Sequence, residues 1–177
     1  MGYSSLFSFV AEAIIPYLYK KGEAMPKYMS FDELRGQMQS LELRLKDTEP
    51  LMAHIANTLA LFTSQSFEKE TSPFGEKWKP LSSATLKKSK GLKKKLVDKG
   101  KLVNSIHTSH TTKSASIGTS VVYARIHQFG GKAGRNHKVI IPARPFIPIS
   151  KEDKIPKALQ EEIQELAMEH ILGVFLK

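Results

Sequence analysis

Six histidines are the side chains best suited to catalysis or metal binding: His54, His107, His110, His127, His137 and His170. None lies in an HExxH pattern, and no carboxylate accompanies the four between 107 and 137. His107 and His110 stand three apart in a segment that reads as a strand, so their side chains point to opposite faces. That argues against a shared metal and for ordinary surface or partly buried imidazoles. Gly130-Gly131 with Gly134 suggests a phosphate cradle, but the lysine-serine ending and the helix that must follow are missing. The stretch reads as a turn. Between residues 71 and 149 the only acids are Glu76 and Asp98, too few for paired-carboxylate chemistry. The absence of cysteine excludes disulfides, thiolate zinc sites and cysteine nucleophiles. No catalytic, cofactor-binding or metal-ligating residue is assigned.

The charge pattern is more informative. From Gly75 to Lys101 there are ten lysines against Glu76 and Asp98, a local charge of +8, so of the chain's +10 only +2 is left elsewhere. Lys87, Lys88, Lys90, Lys93, Lys94 and Lys95 form the densest part, a candidate basic surface. Such a segment suits an anionic partner: nucleic acid, an acidic protein face or a membrane surface. The plainer alternative is a solvated lysine loop.

These residues must be carried by a scaffold, and 177 residues with 41% apolar and 25% charged content are enough for one globular domain. Residues 3–15 read as a short amphipathic helix that can dock on a partner. Leu6 to Tyr19 is too short for a span of about 20 residues and lacks the marks of a signal peptide. Residues 1–29 are taken as an N-terminal extension and 30–177 as a single α+β domain. Ser30-Phe31-Asp32-Glu33 is a capping box, followed by Leu34, Met38, Leu41 and Leu45 at helical spacing. Thr48-Glu49-Pro50 restarts a helix whose stripe is Leu51, Ile55, Leu59, Phe62 and Phe67. A coiled coil is the rival reading of 30–68, weakened by irregular heptads.

Ser82 or Ser83 can cap a short helix running to about Lys90. From Leu102 the period becomes two, predicting strands over Val103–Ser109, Ser114–Gly118, Val121–His127 and Lys138–Ile141. A last helix is expected to start at Ser150, with Pro156 in its first turn. Helices, then about four antiparallel strands, then a helix predict an α+β fold. Pro142, Pro145 and Pro148 repeat every three residues, as in a polyproline II segment. An SH3-type ligand is one reading; a rigid spacer that projects Arg144 and Phe146 is the simpler one. Trp78, the single tryptophan, reads as core rather than as a base-stacking platform.

Four motifs together resemble the phage virion-morphogenesis (tail-completion) proteins. Gly75-Glu76-Lys77-Trp78-Lys79-Pro80-Leu81 with Thr85 is similar to their W-x-P-L…T opening. Leu96 to Leu102 with Ser105-Ile106 resembles L-x-x-x-G-x-L-x-x-S-I. Tyr123 to Gly131 resembles Y-A-x-I-H-Q-F-G-G, and Ile141 to Phe146 resembles I-P-A-R-P-F. The motifs stand in the family's order across residues 75–149; residues 1–29 have no counterpart.

The resemblance implies a structural protein of Mu-like, contractile-tailed phages or prophages, without catalytic residues or cofactor. It would complete the tail so that heads can join. The related tail-terminator and neck proteins imply an α+β subunit in a ring of six around the DNA channel. The implied partners are the tail-tube protein, the head connector and DNA in the channel. Implied sites are the virion tail or neck, and the host cytoplasm during assembly. Tyr123, Ile126, His127, Phe129, Arg144, Pro145 and Phe146 are the candidate interface residues; alternatively they only hold sheet and final helix together. A basic nucleic-acid-binding module acting through Lys77–Lys101 is the competing function.

Overall fold

The computed structural model describes residues 30–88 and 94–173. The expected N-terminal amphipathic helix, Lys90 and Lys93 lie outside the described residues. The described chain falls into two compact units, one of residues 30–48 with 164–173 and one of residues 49–163.

In the smaller unit, helix α1 spans Phe31–Lys46 and opens on the capping box. The Ser30 N–H donates to Glu33 Oε2 at 2.8 Å, and the Glu33 N–H donates to Ser30 Oγ at 3.2 Å. Two of the helix's orphan N-terminal groups are thereby satisfied. Its C-terminal end meets the end of the last helix: Arg44 Nη1 donates to the His170 carbonyl at 3.0 Å, and His170 Nε2 lies 3.0 Å from the Arg44 carbonyl. No residue of α1 is buried, and Leu34 and Leu45 of the expected apolar stripe stay exposed.

The larger unit begins with helix α2, Glu49–Lys69, restarted at Glu49-Pro50 as the sequence predicts. Its buried positions are Ala56, Thr63, Ser66 and Phe67. Of the predicted stripe only Phe67 is buried, while Leu51, Ile55, Leu59 and Phe62 are partly so; small residues take the other buried positions because α2 lies against a sheet and small side chains permit close approach. That sheet is the hairpin β1, Ile106–His110, with β2, Ala115–Thr119, in antiparallel register with Ile106 opposite Thr119. Ser109 and Ser116 pair across it at 2.8 Å. Val103–Ser105 is a single 3-10 turn before β1 rather than part of the strand. Helix α3 is short, Ser83–Lys88, and Ser82 Oγ accepts the Thr85 N–H at 3.3 Å.

Residues 121–127 depart from the expected strand. Helix α4 occupies Ala124–Phe129 and buries Ala124 and Gln128, four residues apart on one face. The β propensity of Val121, Val122 and Tyr123 gives way to the packing of those two side chains. A second hairpin follows, β3, Gly131–Ala133, with β4, Val139–Ile141. The fold is α+β, with four strands among the described residues divided between two separate two-stranded sheets.

Residues 142–150 run without regular structure, and burial alternates with a period of two: Arg144, Phe146 and Pro148 are buried between less buried neighbours. The segment thus lies on the core as an extended strand does, and the period-three proline face is not the buried one. The last helix, α5, spans Lys157–Leu172. It starts later than expected. Ser150 Oγ caps a turn instead, accepting the N–H groups of Glu152 and Lys154 at 3.2 Å each. Pro156 precedes the helix, and its carbonyl accepts the Gln160 N–H at 3.0 Å. The core of this unit is Phe67, Trp78, Leu102, Ala124 and Phe146. Phe67 meets Trp78 edge to face at 5.6 Å and Phe146 at 5.2 Å, both favoured aromatic arrangements.

Candidate functional site

The motif segments that are far apart in sequence meet in one place. Trp78 is delivered by a tight loop: its N–H donates to the Glu70 carbonyl at 2.9 Å, and Gly75 turns the chain at φ +93°. Its indole Nε1 then donates to the Pro145 carbonyl at 2.7 Å. Arg144 returns the contact, donating through Nε to the Lys79 carbonyl at 2.9 Å and through Nη2 to the Pro80 carbonyl at 2.8 Å. Its own N–H donates to the His127 carbonyl at 2.7 Å. Arg144 is only 5% exposed. Burial pushes its pKa down, and the Glu70 carboxylate opposes that shift. Two backbone carbonyls, rather than a carboxylate, solvate this buried cation.

Gln128 completes the junction. Its Nε2 donates to the carbonyls of Ile147 and Ile149, and its Oε1 accepts the N–H groups of Phe146 and Ile147. Gly130 lets the two segments approach. At φ +70°, a Cβ there would lie 2.9 Å from Ala143 N and 3.2 Å from the Ile141 carbonyl. The sequence suggests an interface role for Arg144, Pro145 and Phe146. The structure puts Phe146 wholly inside the fold, Arg144 nearly so, and Pro145 partly buried against Trp78. Sequence reading does not single out Gln128; the signal available is an amide between two aromatic-rich motif positions.

The other face of α4 is outward. Val122 is 95% exposed and Tyr123 43%. Val122, Ile126 and Phe129 line a groove of about 700 Å³ together with Arg125, Lys132 and Lys151. Tyr123 stands edge-on to the His127 ring at 5.8 Å. His127 is half-buried and its Nδ1 is enclosed without a hydrogen-bond partner. Burial first, and the nearby Arg144 cation second, push its pKa below the ordinary 6.5.

The lysines separate as well. Lys87 and Lys94 are exposed, while Lys95 binds Glu70 through both its side-chain ammonium and its backbone N–H, the latter at 2.6 Å. Burial pushes the Glu70 carboxyl up, but the Lys95 contacts outweigh it and hold the group below its ordinary value. Nothing is described of the Lys88 side chain. Lys94, Lys99 and Lys101 line a cleft of about 770 Å³ with Leu81, Tyr123 and Ile140. Among the described residues no group of three or more His, Asp or Glu side chains could hold a metal ion.

Comparison with known proteins gives this geometry a context. The chain is 38% identical over 133 residues to the Mu-like prophage FluMu G protein 2 of Haemophilus influenzae, an alignment covering 75% of this chain and 88% of that protein. No solved structure matches it. The model of the phage virion morphogenesis family matches residues 29–171, a span that contains all four motif segments. The chain therefore belongs to the phage virion morphogenesis family.

Proposed function

We propose that this virion morphogenesis protein completes the phage tail and supports head–tail joining as a closed ring of six copies. It would meet the tail-tube protein on one face and the head connector on the other. Its work is assembly rather than catalysis. The observation that carries this reading is the division of labour within Tyr123–Gly131. Ala124 and Gln128 lock the segment to the core, while Val122, Ile126 and Phe129 line an open, cation-bearing groove. A fold that exposes Val122 almost completely beside such a groove presents a surface for a protein neighbour.

The test is the mass of the purified chain by light scattering, with negative-stain images, alone and with tail-tube protein. A ring, alone or on tube ends, supports the reading. Failure to assemble in both settings sinks it. A second reading is favoured by one observation: no Asp or Glu occurs between Asp98 and Glu152, and Lys87 and Lys94 are exposed. That surface would contact DNA phosphates. Affinity for double-stranded DNA should then fall by orders of magnitude between about 50 and 200 mM salt if six or more phosphates are engaged. A flat salt response sinks it.

A further inference from the structure

We infer that the groove beside α4 is a socket for helix α5 of a neighbouring copy of this chain. The inference rests on the ring reading and names the contact that would build it. The groove combines an apolar floor, Val122, Ile126 and Phe129, with three cations, Arg125, Lys132 and Lys151. None of the three cations is in an ion pair among the described residues, and no acid lines the groove, although Glu152 and Asp153 follow Lys151 in the chain.

The complementary surface is on the same chain. Helix α5 carries Glu161, Glu162, Glu165 and Glu169, all exposed, and Lys157 is its one lysine or arginine. Glu161, Glu165 and Glu169 are spaced by four, so they form one stripe along the helix. Lys157 meets Glu161 at 3.6 Å, and Glu165 and Glu169 also have interactions within the chain; exposed contacts of this kind are weak enough for a stronger partner to displace. The groove's volume fits the side chains of about one helical turn.

Socket and helix are different surfaces of opposite sign. On the ring reading, each copy offers a socket to one neighbour and a helix to the other. That is a heterologous contact, which closes into a ring when its rotation closes. The apolar floor favours a protein segment over a phosphate backbone, because a phosphodiester has no use for Val122, Ile126 and Phe129. Opposite charges on the two faces also exclude the like-to-like contact that would end in a dimer.

Charge reversal tests this with the full chain. A socket variant, Arg125→Glu with Lys132→Glu, and a helix variant, Glu161→Lys with Glu165→Lys, change exposed side chains. Circular dichroism should match wild type, and melting should fall only slightly, because exposed pairs such as Lys157–Glu161 contribute little. Each variant alone should assemble at least about tenfold more weakly, because like charges then face each other. Mixed one to one, they should recover the wild-type mass, since every contact in an alternating ring again pairs opposite charges. Carrying all four substitutions in one chain should also recover it.

A misfolded variant could not be rescued by its counterpart, so rescue separates the contact from a folding defect. Wild-type-like assembly of either variant, or failure of both rescues, overturns the socket and leaves the ring standing. A wild-type chain that stays monomeric up to about 1 mM also overturns the socket, and the ring is then decided on tail-tube ends. If the socket variant loses only affinity for double-stranded DNA and keeps its mass, the groove is a phosphate surface and the inference falls.

Discussion

The Gln128 side chain grips the Ile147 peptide from both sides: its Nε2 donates to the Ile147 carbonyl at 2.9 Å, and its Oε1 accepts the Ile147 N–H at 3.0 Å. The remaining donor goes to the Ile149 carbonyl at 3.0 Å and the remaining acceptor position to the Phe146 N–H at 2.9 Å. All four bonds an amide side chain can make are used. The segment after Pro145 lacks a β partner, and one side chain replaces the ladder.

Gln128→Ala should therefore destabilise the protein by about 2–3 kcal/mol, the cost of leaving several enclosed backbone groups without partners. The urea midpoint should fall with little change in the m-value. Gln128→Glu keeps the acceptor and, when ionised, loses both bonds donated to the Ile147 and Ile149 carbonyls. Burial and two facing carbonyls raise its folded pKa above the unfolded value of about 4.3. Its stability relative to wild type is then greatest below that value and declines as pH rises through the raised folded pKa. Wild-type stability of Gln128→Ala at neutral pH would show the grip to be idle.

Two glycines should respond in opposite directions. Gly130→Ala forces a side chain into φ +70° and a Cβ to 2.9 Å from Ala143 N, a backbone atom that cannot swing away. A loss of about 2–3 kcal/mol is expected from strain and displacement of the 141–143 segment. Gly36 lies in exposed helix α1, where an added methyl would meet nothing within 4 Å. There the helix preference of alanine should raise stability by about 0.5–1 kcal/mol. Paired thermal melts check both signs.

How much of this was legible follows from how local each signal is. The capping box at Ser30 and the restart at Glu49-Pro50 are set by neighbouring residues, and both helices begin there. Trp78 reads as core because a lone large aromatic seldom finds another use, and it is buried. Residues 121–127 read as strand but turn into α4, because the deciding event is Gln128 meeting a segment 18 to 21 residues away. The prolines 142, 145 and 148 suggest a period of three, whereas burial follows two, set by Phe67 receiving Phe146 and the Lys79 and Pro80 carbonyls receiving Arg144. The motif residues were visible in the sequence. Which of them face inward was not, because an arginine satisfied by carbonyls 64 and 65 residues away leaves no local trace.

His127 gives a pH test. Its folded pKa lies below the ordinary 6.5, owing to burial and then to Arg144. The unfolded chain thus takes up a proton first as pH falls. Stability from this group is present above pH 6.5 and is lost as pH drops from there through the folded pKa. Carboxylates such as Glu70 act lower, since its pKa sits below 4.5. His127→Phe retains a ring against Tyr123 and removes the titration. Denaturation midpoints should fall as pH drops below 6.5 in wild type and stay flat in the variant. Equal slopes would clear His127 of the effect.

Arg144 is the last test, and the single tryptophan is its reporter. The guanidinium reaches two successive carbonyls, Lys79 and Pro80, through two nitrogens, and Pro145 beside it holds the Trp78 indole. A lysine at this position has one nitrogen on a flexible stem and cannot keep both contacts in that geometry. Arg144→Lys should cost about 1–3 kcal/mol, with one carbonyl left unpaired and a more strongly hydrated cation enclosed. The Trp78 segment would loosen from residues 144–146 before global unfolding. Its emission, expected to be blue in the wild type because the indole is buried, should then shift red in the folded variant at urea concentrations where far-ultraviolet dichroism is unchanged. If fluorescence and dichroism still change together and at the wild-type midpoint, the arginine does not latch these segments.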